Sequence, residues 1–145
     1  MNSATRPPWH GLASAALRAG VRDEWVTAAK TVTRINAEHG GDVIPGVLAA
    51  WIDTMVLTCG APPADALVLL AWLNADTGTM QPADEVPPPA RWAGRLILAR
   101  AQLDREQFEA LINSVQSREE WTHGVLAVLR SCALSLRAHA SGRAS

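Results

Sequence analysis

The stretch Ile44–Leu57, IPGVLAAWIDTMVL, has one charged residue, Asp53, in fourteen positions. It is too long for an ordinary strand and does not alternate at period two, so it reads as a helix. On a helix, Leu48, Trp51, Ile52, Met55 and Val56 share one side, and Gly46, Ala49, Ala50, Asp53 and Leu57 share the other. A helix with this much apolar surface is expected at the centre of a bundle or in contact with another chain. The run ends at CGAPP and contains Asp53, which reads as too short and too polar for a bilayer span.

Outward from this stretch, the signals are all helical. Residues 8–19 have Pro in the first turn and Gly20 at the end. Residues 22–39 have the stripe Trp25, Ala28, Ala29, Val32 and Ile35 before Gly40-Gly41. Asp42 is expected to cap the central helix. ADALVLLAWLNA, residues 64–75, is apolar on nearly every side, and the thirteen residues of DTGTMQPADEVPP show no period. PARWAGRLILARAQ is a further helix. The next begins at a capping box, Asp104 with Gln107, flanked by Leu103 and Phe108 as a hydrophobic staple. A second box, Ser117 with Glu120, opens a seam through Trp121, Val125, Val128, Leu129, Cys132 and Leu136. AHASGRAS reads as a frayed tail.

These elements predict an all-α fold: a single-domain bundle of about seven helices over residues 1–145. Residues 1–7 and 139–145 are expected to be flexible, and 76–88 to form the long loop. A faint echo between the segments 22–75 and 88–138 suggests two pseudo-repeated three-helix units. The 145-residue length suffices for one core without disulfide or metal. Cys59 and Cys132 lie in apolar helical patterns and read as buried thiols.

Composition narrows function by exclusion. The net charge of −1 gives no general pull toward nucleic acid or anionic membrane. Residues 1–85 hold five basic and nine acidic groups, and residues 86–145 hold eight and five. Twelve of the thirteen basic residues are Arg, and Tyr is absent, a bias that resembles coding from a GC-rich bacterial or phage genome. The N-terminus MNSATRPPWHG has no apolar core of a signal peptide, so the expected compartment is the cytoplasm.

No motif carries chemistry. Glu120-x-x-His123 is half of a di-iron signature without a second half, and Glu120 is already used in a cap. HGGD, His39–Asp42, reads as a helix stop and a cap, not an anion loop. Asp76, Asp84 and Glu85 do not fit a calcium loop. No metal, cofactor or catalytic residue is expected. The candidate anchor or contact residues are Asp53, Trp51, Trp72, Arg91 and Arg95. Asp53, if covered, needs a cation, and none lies between residues 35 and 90. Lys30, Arg34, Arg91, Arg95, Arg100 or another chain must supply it. The expected function is a regulatory or accessory module that acts through protein contacts, with a protein partner, a homo-oligomer or both. The alternative is a small-ligand-binding or catalytic bundle with a pocket between helices.

Overall fold

The computed structural model describes residues 7–60 and 88–144. Among the described residues there are six α-helices and no strand: α1 His10–Val21, α2 Trp25–His39, α3 Ile44–Cys59, α4 Pro88–Ala101, α5 Arg105–Asn113 and α6 Arg118–Ala144. A short 3₁₀ turn, Gly41–Val43, joins α2 to α3. The all-α expectation holds. The helix expected at 64–75, the loop at 76–88 and its suggested protease-sensitive stretch 77–86 lie outside the described residues, apart from Pro88, which opens α4. The expected three-helix echo includes 64–75 and so cannot be followed as a whole.

Helix α3 sits at the centre, as its apolar surplus requires. It packs on α6, α4 and α1. Val47, Leu48, Trp51, Ile52 and Met55 are buried against Val125, Val128, Leu129, Cys132 and Ala133 of α6. By length and composition alone, Gly41–Cys59 could cross a membrane, contrary to the reading of this run as too short. In the bundle, its large apolar side chains are core. By contrast, α2 packs on α1 and the 3₁₀ turn, and α5 packs on α4. These two helices flank the core and are each held from one side.

The helix ends show which local signals were decisive. Asp104 caps α5 as expected, its Oδ1 accepting from the Gln107 N–H at 3.1 Å. Ser117 accepts from the Glu120 N–H at 3.0 Å, while Glu120 reaches back to the Gln116 N–H at 3.2 Å, one residue before the box position. Asp42 does not cap α3. It lies inside the 3₁₀ turn, and Val43 holds the cap position without a side-chain bond. Helix α1 does not stop at Gly20. A Cβ there would meet Ala133 and Trp25 at 3.0 Å, so Gly20 is needed for close packing and not for chain reversal. Helix α6 continues to Ala144, past the expected fraying at Ala138.

Helices α1 and α4 end in the same backbone device. The Glu24 N–H bonds Ala19 O and the Asp23 N–H bonds Gly20 O; likewise Asp104 N–H bonds Ala99 O and Leu103 N–H bonds Arg100 O. Both are Schellman closures, with Asp23 (φ 64°) and Leu103 (φ 58°) in the left-handed position. Asp tolerates that position, and Asp23 Oδ1 also accepts from the Trp25 indole. Leu has no such compensation and bears a strain of about 1–2 kcal/mol.

Tryptophans tie these small-residue helices together. The Trp51 indole donates to Ala13 O at 2.9 Å inside the core, joining α3 to α1. The Trp92 indole donates to Leu111 O at 2.9 Å, joining α4 to the C-terminal end of α5. Its six-membered ring lies on α6 at Gly124, where an added Cβ would come within 2.8 Å. Helix propensity alone would make Gly124→Ala stabilising by about 1 kcal/mol. The indole reverses that sign: we expect Gly124→Ala to destabilise the fold by about 1–3 kcal/mol in urea unfolding. A neutral or stabilising result would show that Trp92 does not hold α6 there.

Candidate functional site

Asp53 has a partner, and it is one of the cations considered from the sequence. Arg100 on α4 binds it through two teeth: Nε to Oδ1 and Nη2 to Oδ2, both 2.8 Å. The side chains are 49% and 38% exposed, so this is a wet, partly covered clamp between α3 and α4. The hydrogen bond to Asp53 is the main reason that the Arg100 guanidinium is held above its already high ordinary pKa, against the opposing effect of burial. The small residues around Asp53 allow α4 to approach. The clamp orients two helices, and no second titratable group shares it for acid–base work.

The other sequence candidates scatter. Trp51 is buried and structural. Arg91 is half-buried, Arg95 is exposed, and neither forms an ion pair with a described residue. Trp72 lies outside the described residues. Among the described residues, no cluster of three His, Cys, Asp or Glu side chains could hold a metal ion. Glu120 is occupied at the α6 cap, and His123 is exposed.

The cysteines are poor nucleophiles. Cys132 is fully buried, which pushes its thiol far above the usual range, and the neighbouring Cys59 adds to the rise. Cys59 is half-buried, with Sγ 3.7 Å from Ser135 O, and burial raises its thiol as well. A raised pKa means less thiolate at a given pH and slower alkylation.

What sequence reading did not locate is a two-part cleft. The larger part, about 970 Å³, lies between α2, the 3₁₀ turn and the start of α6. Its apolar lining includes Val32, Ile44, Ile112, Trp121, Val125 and Leu126, and its charged residues are Asp42 and Arg118. The smaller part, about 650 Å³, lies between the start of α3, the end of α4 and α5, and includes Ala49, Leu103 and Phe108. Pro45 and Ile112 line both. In the smaller part, charges are engaged locally: Arg100 with Asp53, Arg105 with Glu109 at 3.5 Å, and Asp104 at its cap. The cleft exists because α2 and α5, one on each side, are covered on one face only. The partial signal in the sequence was Val32 on the α2 stripe and Ile112 on α5, apolar positions beyond what α1 and α4 cover.

No family model matches the chain, and no curated protein or solved structure does so either.

Two outcomes are expected. In a double-mutant cycle with Asp53→Ala and Arg100→Ala, the coupling should be roughly 1 kcal/mol, because the geometry is bidentate but the pair is half in water; coupling near zero would remove the clamp. In native protein at pH 8, Cys59 should alkylate more slowly than a free thiol, and Cys132 only after denaturant is added. Rapid modification of both without denaturant would contradict the packing around α6.

Proposed function

We propose that this chain is a protein-binding module that docks an apolar helical face of another protein chain in the two-part cleft. The observation that carries this reading is the cleft itself. It is a long apolar depression, floored by the ends of α3 and α6 and walled by two helices that have no second neighbour. An amphipathic helix laid in such a groove buries apolar surface at the spacing its own turns provide. The lining favours contact over chemistry: its two charged residues in the larger part are of opposite sign, so a nearly neutral partner face fits best. Trp121 on the floor is the kind of aromatic anchor on which contact surfaces concentrate their affinity.

On this reading the chain is a regulatory or accessory component of the cytoplasm, needs no cofactor or metal, and acts on neither nucleic acid nor membrane. The supporting facts are the near-zero net charge and the local engagement of most charges around the cleft. One observation favours a second reading, a small-ligand site: the larger part lies near the upper end of the roughly 300–1,000 Å³ range of ligand pockets, and Asn36, Gln116 and Thr122 offer polar groups.

Site-specific photo-cross-linking separates the two. A photoreactive residue at Thr33, in the cleft, should give protein adducts in the native host, while one at Arg137, near the other end of α6, should not. Small-molecule adducts at Thr33 without protein adducts would favour the ligand site. Equal adducts at both positions would remove the cleft from the account.

A further inference from the structure

Leu103 is the residue that this fold has least local reason to keep. It occupies the left-handed position of a Schellman closure, where glycine is the unstrained choice. Its side chain is 83% exposed at the rim of the smaller cleft. The matching position at the end of α1 is Asp23, which satisfies both water and the Trp25 indole. A strained apolar side chain held out into solvent covers nothing in its own chain. An observed outlier of this kind points to a role outside the local structure.

The surroundings indicate what that role is. Leu103 stands just before α5, and α5 is a ridge that lies between the two parts of the cleft and shares Ile112 with both. A ridge beside a groove on one face is self-complementary under a two-fold rotation: each copy's ridge can enter the other's groove. The charges permit it. The cleft offers one acid and one base, Asp42 and Arg118, and the first turn of α5 offers one of each, Glu106 and Arg105. Neither Asp42 nor Arg118 is ion-paired with a described residue, so both remain to meet the opposite charges of a second copy.

We propose, resting on the docking reading of the cleft, that its occupant is a second copy of this chain. The two copies are related by a two-fold axis near Pro45 and Ile112, and Leu103 of each seats in the larger cleft of the other. The strain at Leu103 is then the cost of presenting an apolar knob at the start of α5, and dimer formation offsets it.

Sedimentation from micromolar to submillimolar concentration, with wild type and Leu103→Gly, tests this. The wild-type mass should rise from 15.5 kDa toward twice that value. Leu103→Gly removes both the knob and the strain, so its monomer should melt at a higher temperature while its dimer dissociation constant rises roughly tenfold or more. Failure to fold cannot mimic that pair of changes. A wild-type chain that stays monomeric, or a Leu103→Gly chain that associates as tightly as wild type, overturns the proposal. If the wild type is monomeric but Thr33 still cross-links to other proteins, the homodimer falls and the docking reading stands. If those protein adducts are missing too, both fall.

Discussion

The second half of the molecule depends on where Trp92 lies. Its indole N–H meets Leu111 O, which also accepts from the Ser114 N–H and hydroxyl at the end of α5. Its ring covers Gly124 and meets Trp121 edge-on, with ring centroids 5.9 Å apart. One side chain therefore fixes α4 to α5 and α6 together. The sequence has one Phe and no Tyr, so indoles supply most of the aromatic bulk that Ala- and Gly-rich helices lack. Trp9 over Gly46 and Trp51 bonded to Ala13 O do the same work in the first half.

This mode of packing explains the cleft. Small residues let α1, α3, α4 and α6 approach closely and complete a core among themselves. Little large apolar surface is left on α2 and α5 to draw them over the core, so each settles on a single neighbour. The space between them remains open, floored by Trp121 and Val125 from one side and Pro45 and Ile112 from the other. The same arrangement leaves α5 as an outlying ridge whose only fully buried side chain is Leu111.

Local chemistry was legible in the sequence and long-range placement was not. Asp104 and Ser117 act as caps because their bonds reach three residues along the chain. The reading of Asp53 as an anchor rested on the absence of nearby cations, which confined its partner to a short set that included Arg100. Asp42 failed as a cap because the chain enters α3 through a 3₁₀ turn, which already uses the position that Asp42 would need. Gly20 failed as a stop because α6 approaches it, a contact 113 residues distant in sequence at Ala133. Leu103 gave no warning of a positive φ, since nothing in its identity favours one. The cleft had no local signal of its own, because it is defined by which faces of α2 and α5 remain uncovered.

The central claim is that this uncovered face is a surface for protein contact, and in particular for a second copy. Amide hydrogen exchange followed at low and high protein concentration tests it most directly, because α5 has so little burial of its own to protect it. The account predicts that protection in segments 103–118 and 29–45 rises with concentration, while protection of the α3–α6 core stays constant. Protection of those two segments that is the same at every concentration would contradict self-association through the cleft.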